Sequence, residues 1–214
     1  MGKMHAIKKL LVYTIAILIF TMSVRMLFSD GSTRRAISGI KDPIQKEADG
    51  GTTMELDGYD IDITYMYEYE IEGLVLTTNH HYWFGIDNDL SPIDVGLGWG
   101  DVAAYNNVID FHWSQHGRFL YWKYKSYEDI ARVGDEYDVN IQSSNNHLIG
   151  SNSSIKRKIK RIHAGDHIKL KGYLVDIYGT KDDGTFFSWT SSTVRDDSGD
   201  GACELIYVTD VEWL

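Results

Sequence analysis

The clearest pattern of hydrophobic and polar positions lies at residues 61–71. Isoleucine and tyrosine occupy alternate positions there, and mostly aspartate, threonine and glutamate fill the positions between them. Because successive side chains of a strand point to opposite faces, this alternation predicts a half-buried strand. Residues 74–78 are expected to continue the strand after Gly73, where a bulge or bend is predicted.

Further strands are predicted downstream from aromatic-rich and alternating stretches. Residues 108–113 and 117–124 are predicted to form an aromatic hairpin with its turn near 115–117. Residues 168–177, 186–194 and 204–211 carry the β-branched and aromatic residues that favour strands. By contrast, the Gly- and Asp-rich stretch at 79–101 is expected to be mainly loop, and residues 143–147 are expected to form a polar turn.

One short helix is predicted in this region. Ile155, Ile159 and Ile162 have the spacing that places side chains on one helical face, and Ser154 can cap the start. No internal repeat accompanies these elements. The fold class is therefore predicted to be mainly β, a small barrel or sandwich of about seven or eight short strands with one short helix.

The N-terminal residues differ from everything that follows. An uncharged run at 10–24 comes after Lys8 and Lys9, is interrupted by Arg25 and extends to Phe28. A membrane-spanning helix of this length is possible if the Arg25 guanidinium reaches the interface, whereas a cleaved signal peptide is the alternative. The uncleaved anchor is preferred because no small-residue cleavage pattern follows closely.

This segment sets the predicted organisation of the chain. Residues 1–28 are expected to form a single-pass membrane anchor, 29–57 a linker, and 58–214 an extracytoplasmic β-rich domain. Basic residues flank the apolar run on both sides, so the positive-inside rule does not decide the orientation. A short basic N-terminal tail is nevertheless typical of export signals, which places the domain in the periplasm and the anchor in the inner membrane.

Charge and cysteine content narrow the possible functions. The chain has 21 basic and 31 acidic residues and a formal net charge of −10, which disfavours non-specific binding to nucleic acid. Cys203 is the single cysteine, so an intrachain disulfide, a redox cysteine pair and a zinc–thiolate cluster are all excluded. The expected partners are the membrane and an envelope protein.

Two metal-binding patterns are present in incomplete form. The pair His112–His116 would share a face only on a helix, and its segment is predicted to be strand and turn. The adjacent residues His80 and His81 would point to opposite faces of a strand. The stretch at 196–201 resembles the start of a calcium loop, but its twelfth position is Tyr207 and not a glutamate. No metal and no cofactor are therefore predicted.

Cys203 is the strongest candidate for catalysis. His147 and Arg195 are the groups predicted to activate its thiol, because a thiolate nucleophile needs a nearby base or cation. A membrane anchor, a β-rich fold and a histidine far upstream of a cysteine are similar to the arrangement in sortases, the cysteine transpeptidases. Sortases have Thr-Leu-x-Thr before the cysteine and an arginine after it, whereas here Gly201 and Ala202 precede Cys203 and no arginine follows.

Two classes of function therefore remain open. The many tryptophans and tyrosines favour a non-enzymatic binding or accessory module, with Trp99, Trp122 and Asn146 as candidate ligand-binding residues. The alternative is a cysteine-dependent hydrolase or transpeptidase that uses Cys203 and His147.

Several sequence blocks resemble a known family. They are the stretches at 92–100, 117–124, 143–149, 165–175 and 191–208. In this order they are similar to a family of uncharacterised membrane-anchored proteins of Gram-negative bacteria. The resemblance implies an anchored envelope protein and no particular activity. The block at 165–175 also looks like a barrel strand of the kind found in OB-folds.

Overall fold

The computed structural model describes residues 11, 13–18, 32–194 and 203–214, and ten strands lie in these ranges. Their lengths differ widely. The alternating stretch at 61–71 is part of one strand of 22 residues, much longer than the short strands predicted. The strands are β1 (Ile44–Glu47), β2 (Gly51–Leu56), β3 (Tyr59–His80), β4 (Ile93–Gly98), β5 (Ser114–His116), β6 (Phe119–Tyr121), β7 (Ser143–Gly150), β8 (His167–Thr180), β9 (Phe186–Thr190) and β10 (Glu204–Trp213).

Short helices connect several of these strands. We label them α1 (Ile86–Leu90), α2 (Gly100–Tyr105), α3 (Tyr127–Ile130), α4 (Glu136–Ile141) and α5 (Ser153–Ile159). Residues 11 and 13–18 are also helical. Within the described ranges, no helix has both the length and the hydrophobicity that a bilayer span requires. Most of the predicted anchor at 1–28 lies outside the described residues.

Five strands pair in a closed ring, which we call the barrel. β3 pairs with β4, β4 with β7, β7 with β10, β10 with β8, and β8 again with β3. All of these pairings are antiparallel except β7 with β10, which is parallel. Strands β1 and β2 extend the sheet from β3, β9 extends it from β8, and β5 and β6 form a separate hairpin.

Strand β3 is long enough to pair with both of its barrel neighbours. Residues 60–74 pair with β8, and residues 74–80 pair with β4. The register shifts lie between Tyr65 and Tyr67 and between Val75 and Thr77. Gly73 pairs in regular register with Ile168, so the bulge predicted at Gly73 is not found there. Gly73 itself faces Leu97, since a Cβ there would lie 3.2 Å from the Leu97 Cβ.

Apolar side chains from all five barrel strands form the core. Leu74, Leu97, Leu148, Leu170 and Ile206, each from a different barrel strand, are all fully buried. Helix α5 packs Ile155 and Ile159 into the same cluster, which confirms the predicted helix and its buried face, and Ile162 joins the cluster three residues after the helix ends. The side chain of Asn152 caps this helix in place of the predicted Ser154, and accepts from the backbone N–H groups of Ser154 and Ile155.

Three segments were predicted to be linker, loop or turn but contain strands. The expected linker at 29–57 contains β1 and β2, and Ile40 within it is buried in the core. The expected loop at 79–101 contains the fully buried strand β4. The expected polar turn at 143–147 lies in the central strand β7, because its polar side chains find hydrogen-bond partners inside the protein.

Candidate functional site

A pocket of about 520 Å³ opens beside the barrel strands β4 and β7. Its walls come from the turn of the β5–β6 hairpin, the start of α1, strand β9 and the residue before β10. The lining combines aromatic, small polar and ionisable side chains. The lining residues are Asp87, Gly117, Arg118, Phe119, His147, Phe187, Ser188, Trp189, Thr190 and Cys203.

Asp94 is the buried acid beneath this pocket. It lies on β4 with a fully buried side chain, directly opposite His147 on β7. One carboxylate oxygen, Oδ1, is 2.8 Å from His147 Nδ1 and 2.9 Å from an Arg118 guanidinium nitrogen. The other, Oδ2, is 2.8 Å from His81 Nε2. Three donors therefore satisfy one buried carboxylate, as a buried charge requires.

These contacts keep Asp94 ionised. Burial alone acts to raise its pKa, because it disfavours the charged carboxylate. Hydrogen bonds from His147 and His81 outweigh that effect, and the positive charge of Arg118 adds to them, so the pKa falls from 3.8 to about 2. Asp94 is thus a carboxylate at neutral pH.

The ionised carboxylate fixes the orientation of the His147 ring. A carboxylate can only accept hydrogen bonds, so His147 Nδ1, 2.8 Å from Asp94 Oδ1, carries the proton and donates it. In the neutral imidazole, Nε2 is then the acceptor and can take a proton. Only 4% of the His147 surface is exposed, and the centroid of its ring lies 4.8 Å from that of the Trp189 ring.

Arg118 joins the hairpin to the barrel. It occupies the turn of the β5–β6 hairpin with a positive φ of 70°, next to Gly117 at 56°. Its guanidinium donates to Asp87, Asn88 and Asp94, and it lies 5.0 Å from the centroid of the Trp189 ring. This set of contacts fixes the pocket wall against the buried acid.

Cys203 lines the pocket with its side chain beside Asn145. The Asn145 amide nitrogen is 3.3 Å from Cys203 Sγ and 2.7 Å from the carbonyl oxygen of Arg118. The carbonyl can only accept, which identifies this atom as the amide nitrogen. Gln115 donates to the other side of the same amide at 2.6 Å. Asn145 therefore presents an N–H group to the sulfur.

The strand register relates Cys203 to His147. Leu205 pairs with His147 in the parallel β7–β10 ladder, so Cys203 is level with Asn145, two residues away along the strand. The usual strand spacing and rise place the Cα atoms of Cys203 and His147 roughly 8 Å apart. Both side chains line the same pocket, so they extend to the same side.

The other predicted site residues lie elsewhere. Trp99 and Asn146 are fully buried, with Trp99 donating to Asp42 and Asn146 donating to the backbone of β4, so neither has surface for a ligand. Trp122 lies in an aromatic cluster with Phe111 and donates to Asn140. These three residues do not line the pocket. Arg195 lies outside the described residues.

Sequence reasoning missed Asp94, His81, Arg118 and Asn145 as parts of the site. Asp94 carried a usable signal, because it is the single charged residue in the otherwise apolar and glycine-rich stretch at 93–98. The contacts of the other three depend on which strands become neighbours, and residue spacing does not reveal this. Across residues 32–194 and 203–214, His, Cys, Asp and Glu side chains form no group of three that is placed to hold a metal.

Comparison with known proteins gives no assignment. No protein family matches the chain, and neither a curated protein nor a solved structure is significantly similar to it. The resemblance to membrane-anchored proteins of Gram-negative bacteria therefore stays a prediction, and the function must be argued from the pocket itself.

Proposed function

We propose that the protein is a cysteine-dependent acyl-transfer enzyme, a hydrolase or transpeptidase, with Cys203 as nucleophile and His147 as base. One observation carries the proposal: Cys203 and His147 line one pocket, and the buried Asp94 holds the proton on His147 Nδ1. Nucleophile, base and orienting acid are the three parts that a catalytic triad requires.

Each group has a definite part in the proposed reaction. His147 Nε2 takes the Cys203 thiol proton, and the sulfur attacks the carbonyl carbon of an amide or ester. A C–S bond forms as the bond to the leaving amine or alcohol breaks, and His147 returns the proton to that leaving group. Water or a second amine then attacks the thioester, releases the acyl group and restores the thiol.

Two neighbours support this role for the sulfur. The Asn145 N–H group lies 3.3 Å from Sγ, and a hydrogen bond to an anion favours the charged form of that anion. Asp94 in turn stabilises the imidazolium that forms when His147 accepts the proton. The Arg118 guanidinium already has partners on Asp87, Asn88 and Asp94, so we assign it a positioning role.

The position of the pocket on the barrel also suits a binding site. A five-stranded Greek-key barrel resembles the OB-fold architecture, whose ligands bind at strands 2 and 3 and at the loops joining strands 1–2 and 4–5. In barrel order, Asp94 lies on the second strand and His147 on the third. The loop after β3 and the segment carrying β9 flank them, and both contribute lining residues.

A non-enzymatic binding module is the second candidate, and the aromatic walls favour it. Phe119, Phe187 and Trp189 form an apolar side of the pocket on which a ring or an aliphatic group can pack. The same walls would hold the acyl part of a substrate. Turnover of a bound acyl group distinguishes the two candidates, because a binding module leaves its ligand unchanged.

We further propose a cell-envelope location for this chemistry. The apolar run at 10–28 has the length and the flanking lysines of a membrane anchor, and the preceding basic tail is typical of export signals. In this arrangement the domain faces the periplasm and acts on substrates near the inner membrane.

An activated ester tests the enzymatic proposal without knowledge of the natural substrate. The full chain in detergent is mixed with p-nitrophenyl acetate, and release of nitrophenol is followed together with the mass of the protein. We expect an acetyl adduct on Cys203 that forms and then decays. Cys203→Ser should form no thioester, and His147→Gln should slow the acylation strongly. Adduct formation that is equally fast in His147→Gln would contradict the proposed role of the base.

A further inference from the structure

Three consecutive aromatic residues are exposed at the tip of the loop between β3 and β4. Tyr82, Trp83 and Phe84 are 81%, 83% and 102% exposed, the highest values among the large hydrophobic residues described. Isolated exposed apolar residues are common, but a contiguous group of this kind marks a surface that contacts another apolar phase.

The loop holds this tip in a fixed position. At its neck, the His81 backbone N–H donates to the Pro92 carbonyl at 3.0 Å, and the His81 side chain contacts Asp94. Helix α1 follows the tip, and its Leu90 is buried in the core. The aromatic side chains are therefore presented outward by a loop that is anchored on both sides.

Charge near the tip suits a lipid interface. Residues 79–86 contain no Asp, Glu, Lys or Arg, although the chain as a whole is acidic. The nearest acid along the chain, Asp87, contacts the Arg118 guanidinium at 3.1 Å. Tryptophan and tyrosine are the residues enriched where proteins meet the headgroup region of a bilayer.

A bilayer around the apolar run at 10–28 would lie within reach of this tip. It ends five residues before Thr33, whose backbone N–H donates to the Leu76 carbonyl at 3.0 Å on β3. Five residues span at most about 18 Å, so Thr33 cannot lie farther than that from the end of the run. Trp83 follows Leu76 by seven residues, which is at most about 25 Å.

We propose that Tyr82, Trp83 and Phe84 insert into the interfacial region of the bilayer that holds the apolar run at 10–28. The loop would then be a second membrane contact, and it would orient the pocket relative to the bilayer through Asp87 and His81. This inference rests on the proposed membrane anchor and is independent of the chemistry at Cys203.

Quenching by brominated lipid tests the inference on the full chain. All six tryptophans lie after residue 82, so the fluorescence comes from the domain alone. The protein is reconstituted into phosphatidylcholine vesicles with and without bromine on the upper acyl chain. We expect quenching in the wild type and loss of most of it in Trp83→Phe. The matched control, Trp213→Phe, removes a tryptophan that is 41% exposed on β10 and should leave the quenching in place.

The quenching experiment tests loop insertion separately from the proposed acyl-transfer activity. Quenching that is absent, or that is unchanged by Trp83→Phe, overturns the insertion of the loop. Replacing Tyr82, Trp83 and Phe84 together by serine should also abolish the quenching, and these exposed positions leave the core intact. Cys203→Ala should quench like the wild type, so a failed acyl-transfer experiment does not affect this result.

Discussion

The Asn145 amide nitrogen lies 3.3 Å from Cys203 Sγ, on the strand that also carries His147. The contact joins β7 to the residue that precedes the parallel strand β10, and Gln115 donates to the other side of the same amide. A hydrogen bond to a charged acceptor is stronger than one to a neutral acceptor. A thiolate at Cys203 would be stabilised by this contact, whereas the neutral thiol donates to the Arg118 carbonyl at 3.7 Å.

Removing this donor should make the thiol less reactive. Asn145→Ala is expected to slow alkylation of Cys203 by iodoacetamide at pH 7 by about tenfold, since one charge-assisted hydrogen bond is lost. Gln115→Ala should slow it less, because the amide remains but loses its orientation. Asn140→Ala removes a distant amide that accepts from Trp122, and it should have no effect. An unchanged rate in Asn145→Ala would show that the sulfur does not depend on this contact.

Acid should selectively remove the contribution of Asp94 to stability. Its pKa is lowered from 3.8 to about 2 in the folded protein, so folding favours the carboxylate. The resulting stabilisation, roughly 2 kcal/mol, is complete above about pH 4 and disappears as the pH falls through 2. Asp94→Asn lacks the carboxylate and therefore lacks this pH-dependent stabilisation.

The pH dependence of unfolding measures this effect. The difference in unfolding free energy between the wild type and Asp94→Asn should be largest near neutral pH and should shrink between pH 4 and pH 2. Urea unfolding at several pH values provides the measurement. A difference that stays constant over this range would mean that the carboxylate titrates as in the unfolded chain.

Arg118 should contribute much more to stability than an exposed arginine. Arg118→Ala leaves Asp94 without one of its three donors, and we expect a loss of about 2–4 kcal/mol. The loss should be smaller in an Asp94→Asn background, since the two residues are coupled. Arg34 makes an ion pair with Asp110 at 2.8 Å in which both side chains are about half exposed, and Arg34→Ala should cost less than about 1 kcal/mol. Equal losses for the two arginines would contradict the buried contact.

Two glycines of β8 provide a test of the closed barrel. Gly172 lies between β3 and β10, and a Cβ there would approach the Tyr207 carbonyl oxygen to 2.1 Å. Gly172→Ala should therefore destabilise the protein by about 1–3 kcal/mol. At Gly179 the atom nearest to an added Cβ would be 3.4 Å away, which is an ordinary contact distance. Gly179→Ala should therefore change stability by less than about 0.5 kcal/mol. Thermal unfolding of both variants measures the contrast, and similar melting temperatures would argue against the close approach of β8 and β10.

The sequence allowed the solvent-facing strand and the helix to be predicted, but not the buried polar strand. Residues 61–71 alternate because one face of β3 is exposed, and α5 buries the two isoleucines Ile155 and Ile159 on one face. Strand β7 lacks this signal, since Asn145, Asn146 and His147 are polar and yet buried. Their hydrogen-bond partners come from other strands, so a local pattern reads them as a turn.

The candidate site could be predicted only in part for the same reason. Cys203 and His147 stood out by residue type, and the structure places both in one pocket. Their relationship depends on the parallel pairing of β7 with β10, which are separated by α5, β8 and β9 along the chain. Non-local pairings of this kind leave no trace in residue spacing. Asp94 became a site residue only once β4 was placed beside β7.

The pH profile of Cys203 alkylation in the wild type and in His147→Gln tests the central claim most directly. If His147 takes the thiol proton, the wild type should already react rapidly with iodoacetamide at pH 6–7. His147→Gln should then react appreciably only near the ordinary thiol pKa of about 8.5. Two superimposable profiles, both rising only near that value, would contradict the assignment of Cys203 and His147 as a catalytic pair.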